Sequence, residues 1–120
     1  MRIFNVIVYD GVLNGTTEAF SDAKYNELLG RANTLRFQVW VEDSSGTAPA
    51  LTAKYYGAND NLNWESRKVI SNAQDVTTVP KGIVAEFGVA EVNDGFGRVG
   101  LVLDAAGKKA TVRVTVCGRV

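Results

Sequence analysis

The chain contains no histidine and one cysteine, Cys117, and these two counts decide most of the chemistry open to its side chains. Without imidazole the commonest general base is missing. So is the base of any Ser-His or Cys-His nucleophile pair, which leaves hydrolysis to a carboxylate or lysine system. Glu86 and Glu91 lie in or beside one predicted strand, but their odd separation puts them on opposite faces, where they cannot flank one substrate. Cys117 sits between Val116 and Gly118, with Arg113 and Arg119 near. Basic neighbours favour a thiolate, yet a thiol inside a strand reads first as an inert one. The expectation is a protein with no catalytic residues and no cofactor.

Metal chemistry fares no better. A lone cysteine excludes an internal disulfide, and the absence of histidine removes the usual ligands of zinc, copper and iron. Asn59-Asp60-Asn61-Leu62-Asn63-Trp64-Glu65 places oxygen-bearing side chains at alternate positions, as a calcium loop does. Calcium loops use several carboxylates and a glycine at the sharp turn, however, and here three of the side chains are neutral and Leu62 occupies the centre. An Asx-rich turn is the expected structure, with no metal. Gly95-Phe96-Gly97-Arg98-Val99-Gly100 has glycines at GxGxxG spacing. It does not follow a strand and open a helix, so Gly95 and Gly97 are read as turn residues.

What remains is binding. Trp40, Tyr55, Tyr56 and Trp64 fall close together in the sequence. Exposed rings on a β-sandwich can stack on sugars, which would make Trp40 and Tyr56 a carbohydrate-binding pair. The favoured reading instead buries Tyr55 and Trp64 and leaves Trp40 and Tyr56 to cover a sheet edge or a subunit contact. The polar stretch from Ser71 to Pro80 reads as a long connection, and such loops often carry contacts. Asn72, Gln74, Asp75, Thr77 and Thr78 therefore join Trp40 and Tyr56 as candidate partner contacts.

The elements that must position these residues are strands. From Leu35 to Glu42, Phe37, Val39 and Val41 alternate with Arg36, Gln38 and Glu42, and only Trp40 breaks the period of two. Ser44-Ser45-Gly46-Thr47 supplies turn chemistry. Leu51, Ala53 and Tyr55 then face one way and Thr52, Lys54 and Tyr56 the other, until Gly57 to Asn61 ends the run; Trp64 and Val69-Ile70 begin a return. Upstream, Arg2 to Tyr9 reads as a first strand, with Asp10-Gly11 turning into a short return. Ser21 to Arg31 has helical spacing in Tyr25, Leu28 and Leu29, with Ser21 or Asp22 as cap and Gly30 as stop. Downstream come Ile83 to Phe87, Arg98 to Leu103 and Ala110 to Cys117, the last with valines at 112, 114 and 116 on one face. This spacing predicts an all-β fold: an antiparallel β-sandwich, jelly-roll or Ig-like, of roughly eight strands with at most one short helix. Its expected core is Phe37, Val39, Val41, Leu51, Ala53, Trp64, Phe87, Val99, Leu101, Leu103, Val112, Val114 and Val116.

The 120 residues fit one domain, and 46% hydrophobic with 22% charged residues is ordinary for a globular chain. Thirteen basic residues balance thirteen acidic ones, so no global field draws the chain to nucleic acid or an acidic membrane, and neither is expected as a partner. Zero net charge also removes the repulsion that keeps copies apart, which favours a homo-oligomer. Met1 to Asn5 reads as strand and not as a signal peptide, and no run is apolar enough to span a bilayer.

Three stretches carry a resemblance: Ser45-Gly46-Thr47-Ala48-Pro49-Ala50-Leu51-Thr52, Asn59-Asp60-Asn61-Leu62-Asn63-Trp64, and Gly97-Arg98-Val99-Gly100-Leu101 together with Thr111 to Arg119. Over roughly its last two thirds the chain resembles small β-sandwich structural proteins of tailed bacteriophage particles. The resemblance implies a place in a virion assembled in the bacterial cytoplasm, either cementing the capsid surface or at the portal or tail. Its partners would be the major capsid protein or other virion proteins, with a homo-oligomer, a trimer among the options. It supplies no catalytic residues.

Overall fold

Two alternating stretches, Leu35 to Val41 and Thr111 to Cys117, become neighbours, and the remaining strands are laid beside them. The computed structural model describes residues 3–75, 83–87 and 94–120, with the backbone alone at Gln74 and in 83–87. In chain order the strands are β1 (Ile3–Asn14), β2 (Ala19–Phe20), β3 (Thr34–Ser45), β4 (Ala50–Ala58), β5 (Glu65–Asp75), β6 (Ile83–Phe87), β7 (Phe96–Leu103) and β8 (Lys109–Arg119). Between β2 and β3 lie a 3-10 turn, Ala23–Tyr25, and the helix α1 (Asn26–Arg31).

Every strand pairs antiparallel, and the ladders run β1 with β8, β2 with β7, β3 with β6 and β4 with β5. That nesting is one long hairpin rolled up on itself. Two further seams, β3 with β8 and β4 with β7, complete sheets of order β1-β8-β3-β6 and β2-β7-β4-β5. Of the two expected sandwich types, the pairing is therefore that of the jelly roll.

The core lies between the sheets and follows the alternation. Phe37, Val39, Leu51, Ala53, Tyr55, Val99, Leu101, Leu103, Val112, Val114 and Val116 are buried, and Val8, Leu13, Leu29, Leu35 and Ile70 join them. Val41 is only half-buried, packed at the margin of this cluster. The side chain of Phe87 lies outside the described residues. Trp64 does not belong to the core at all; it stands on the outside of the second sheet.

Three other expectations change. Asp10-Gly11 is no turn: β1 runs through it, with a register slip between Ile7 and Tyr9 that lets Val8 turn inward. Asp10 pairs with Arg113, and the Tyr9 ring lies over Gly11, so both residues have sheet partners that a turn would deny them. The first half of the Ser71 to Pro80 connection is strand, since β5 continues to Asp75 along β4; residues 76–80 lie outside the described residues. Of the two glycines read as turn residues, Gly95 does turn, at φ 97, but Gly97 lies within β7, where a Cβ would run into the Tyr55 hydroxyl.

The helical reading of Ser21 to Arg31 holds over Ala23–Arg31, with Asp22 capping the 3-10 turn that leads into α1: its carboxylate accepts from the Lys24 N–H at 3.1 Å. The helix runs one residue past Gly30, because Gly30 is needed for contact and not for termination. A Cβ there would meet the backbone of Gly95 and Phe96.

Candidate functional site

The outer surface of the β2-β7-β4-β5 sheet carries a cluster of aromatic and charged side chains outside the core. On β7 the inward residues Gly97, Val99 and Leu101 leave Arg98 and Gly100 pointing out, and on β4 the outward residues are Thr52, Lys54 and Tyr56. The register sets Tyr56 opposite Arg98, and Phe20 opposite Gly100. Trp64 enters beside them just before β5 begins.

These residues close around the Arg98 guanidinium. Its central carbon lies 3.8 Å from the centroid of the Phe20 ring, 4.4 Å from that of Trp64 and 6.0 Å from that of Tyr56. Cations placed over ring faces at such distances are attracted by the ring quadrupole. Phe20 and Tyr56 also meet edge to face, with centroids 6.2 Å apart. The Tyr56 hydroxyl donates to Glu18 Oε2 at 2.8 Å. Gly100 makes room for both: a Cβ there would lie 2.7 Å from Glu18 Oε2 and from the Tyr56 ring.

Burial lowers the Arg98 pKa from its ordinary value, against the pull of Glu18. The Tyr56 hydroxyl is raised, first by burial and then by its bond to Glu18. Arg98 Nε is buried without a hydrogen-bond partner, and among the described residues no carboxylate stands within ion-pairing distance of this guanidinium.

Next to this face, at one end of the sandwich, is an open polar depression of about 250 Å³ lined by Gly57, Asp60, Asn63, Glu65, Arg67 and Asp94. Arg67 and Asp94 close it with a two-pronged bond, Nε to Oδ2 at 2.8 Å and Nη2 to Oδ1 at 2.6 Å. Asp60 accepts from the backbone N–H of Leu62 at 3.0 Å and of Asn63 at 2.8 Å. Those bonds lower its pKa, and they make the 59–63 segment the Asx-rich turn expected from its composition. Asn61 sits at φ 60 and accepts from the Asn26 amide at 3.0 Å.

Among the described residues, the expected partner contacts do not converge. Trp40 is half-buried on the outer face of the other sheet, opposite Arg113, so the whole core separates it from Tyr56 and the two cannot hold one sugar. Asn72 is exposed on β5, Asp75 pairs with Ala50 at the end of that strand, and Gln74 is placed by its backbone opposite Leu51. Thr77 and Thr78 lie outside the described residues. Among the described candidates, Tyr56 alone reaches the cluster. Phe20, Arg98 and Glu18 went unnoticed in the sequence because they come from two segments far apart in the chain, which meet each other and Tyr56 only through the β2–β7 and β4–β7 ladders. The one signal was local: in β7, Arg98 alternates with inward Gly97 and Val99, and the glycine at 100 clears the floor beside it.

No family model matches the sequence, and no curated protein matches it. Solved structures do. The VP2 subviral particle of infectious bursal disease virus superposes with a TM-score of 0.59 at 13% identity, over 98% of this chain and 32% of that one. The PBSX exported protein XepA gives 0.65 at 10% identity, over 98% and 37%. The CBM22-1-GH10 modules of Clostridium thermocellum endo-1,4-beta-D-xylanase 10B, complexed with xylohexaose, give 0.51 at 12% identity, over 98% and 26%. The likeness is one of fold. This chain spans about a third of the length of the first two structures.

Proposed function

We propose that this chain is a non-enzymatic structural protein of a phage virion, a single sandwich domain over residues 1–120 that binds the major capsid protein and stabilises the shell. A decoration or cement role on the capsid fits best, with a head-tail position as the other site in the particle. It would act as a symmetric homo-oligomer, a trimer among the options, assembled in the bacterial cytoplasm. The observation that carries this reading is the likeness, over 98% of the chain, to the VP2 subviral particle of infectious bursal disease virus and to the PBSX exported protein XepA. Jelly rolls recur in viral capsids, and the argument is one of analogy at the level of fold. The resemblance of the 45–52, 59–64, 97–101 and 111–119 stretches to phage particle proteins supports it independently.

Mass spectrometry of purified particles, with a pull-down on assembled capsids and light scattering of the free protein, tests the proposal. The chain should be found in virions and bind capsids as an oligomer. A strict monomer absent from purified virions would overturn it.

A carbohydrate-binding role is the second reading, favoured by the outward Phe20, Tyr56 and Trp64 rings and by the likeness to the xylanase modules solved with xylohexaose. It would use Tyr56 and Trp64, not the expected pair of Trp40 and Tyr56. A glycan array without signal would remove it.

A further inference from the structure

We propose that Arg98 anchors a protein-docking surface on the outer face of the β2-β7-β4-β5 sheet, and that its occupant is a partner protein presenting an aspartate or glutamate carboxylate beside an apolar contact. This deepens the virion reading, on which it rests, by naming the surface and the chemistry a partner brings to it.

The argument is one of charge left unmatched in a place built to hold it. Three other arginines face acids: Arg31 reaches Glu27 at 2.6 Å, Arg67 grips Asp94, and Arg113 lies 3.5 Å from Asp10 and 3.4 Å from Glu42. Arg98 has rings instead. Phe20 and Trp64 fix the plane of its guanidinium, which removes rotamer freedom before any ligand arrives. Glu18, whose charge acts on Arg98, already has Oε2 engaged by the Tyr56 hydroxyl. Lys54, outward on the same face, has no acid within ion-pairing distance among the described residues. A chain of zero net charge thus keeps an excess of positive charge at this spot, held among aromatic residues.

The chemistry of the occupant follows. A planar fork of N–H groups matches a carboxylate, and Arg, Tyr and Trp are the residues most enriched where protein partners bind tightly. A neutral sugar would use the rings but give neither cation a direct ion pair.

The test uses the full chain in a Trp40→Phe background, so that emission comes from Trp64 beside Arg98. The probes are a capped peptide with one Glu next to Leu, the same peptide with Gln, and an oligogalacturonate. A saturable change with the Glu peptide is expected, weakened about tenfold both by Gln in the peptide and by Arg98→Gln in the protein, as for one charge-assisted bond. Arg98→Lys, which keeps the cation and loses the fork, should weaken it partially and covers the case in which Arg98→Gln does not fold. Arg119→Gln should change nothing. Equal response to the Glu and Gln peptides, no saturation, or tighter binding of the oligogalacturonate would overturn the proposal. Such a failure leaves the presence of the chain in virions untouched, and its absence from virions leaves the titration standing, so the two outcomes are separable.

Discussion

The hydroxyl of Tyr55, on β4, donates to the carbonyl oxygen of Leu29 in α1 at 3.3 Å, and so ties that helix to the inner face of the second sheet. The Tyr55 ring also packs on Phe37 of the facing sheet, with centroids 5.4 Å apart, so a single side chain joins three elements. Tyr55→Phe keeps the ring and removes the tie. The Leu29 carbonyl retains the Ala32 N–H at 3.4 Å, so the loss is expected near 1 kcal/mol, the net value of one hydrogen bond. Urea melts check this, with an unchanged denaturant slope showing that the fold persists.

The same hydroxyl makes stability depend on alkaline pH. Burial, and then the Asp94 carboxylate, raise the Tyr55 pKa far above its ordinary value of 10.0, with Arg67 opposing. The folded state therefore keeps a proton that the unfolded chain releases. The contribution is complete below the unfolded pKa and declines as pH rises above it, by about 1.4 kcal/mol per pH unit for one proton. Tyr9 and Tyr56 are raised as well, in each case chiefly by burial, and add to the decline. Unfolding free energies measured through the alkaline range should fall less steeply in Tyr55→Phe than in the parent. Identical slopes would show that Tyr55 ionises equally in both states.

Much of the fold was legible because alternation survives wherever one strand face is dry. Val112, Val114 and Val116 read correctly as a buried row, and so did Leu51 with Ala53 and Phe37 with Val39. Local signals failed where tertiary pairing overrode them. Asp10-Gly11 has turn composition, yet β8 offers it Arg113 and Val112 as partners and it stays in the strand. The polar residues 71–75 look like a loop, but an edge strand needs no apolar face toward solvent, and β4 holds them in register. The site was the least legible part. Tyr56 stood out as an aromatic in a strand, whereas Arg98 is an ordinary charge until Phe20, 78 positions away, and Trp64 are seen on either side of it.

Gly30 tests whether α1 is docked or merely present. In a free helix Gly30→Ala would stabilise by about 1 kcal/mol through propensity alone. Here the added methyl meets the Gly95 and Phe96 backbone, which cannot swing aside as a side chain would, and the Gly30 carbonyl accepts from the Gly95 N–H at 3.1 Å. Overpacking should win, for a net loss of about 1 to 3 kcal/mol in denaturant unfolding. A gain would mean that the helix does not rest on the turn before β7.

Asp104 should titrate unusually low. Its bond from Lys108, at 2.8 Å, and then the Ala50 N–H, at 2.9 Å, hold the carboxyl below its ordinary 3.8. A depressed carboxyl contributes above its unfolded pKa and loses that contribution as pH falls through the folded value. Carboxyl chemical shifts followed by NMR should place Asp104 below an unperturbed aspartate, and Lys108→Ala should move it back upward. No movement would assign the depression to the Ala50 bond alone.

Trp64 decides whether the aromatic face is structure or surface. Read from sequence, the ring closes the sandwich end, and its removal would then cost about 3 to 5 kcal/mol, as for a buried aromatic. The structure puts it half-buried against the Arg98 guanidinium, outside the core. What Trp64→Ala removes is a cation–π contact and partial cover of Arg98, worth about 1 kcal/mol. The loss should therefore resemble that of Tyr55→Phe despite the much larger deletion. Tyr55→Ala, which empties a fully buried site between the sheets, should cost several times more, in the range of about 3 to 5 kcal/mol. Denaturant melts of the three variants rank these effects directly. If Trp64→Ala costs as much as Tyr55→Ala, the ring is part of the core and the outer face loses its aromatic wall; if it costs little while capsid binding falls, Trp64 faces a partner.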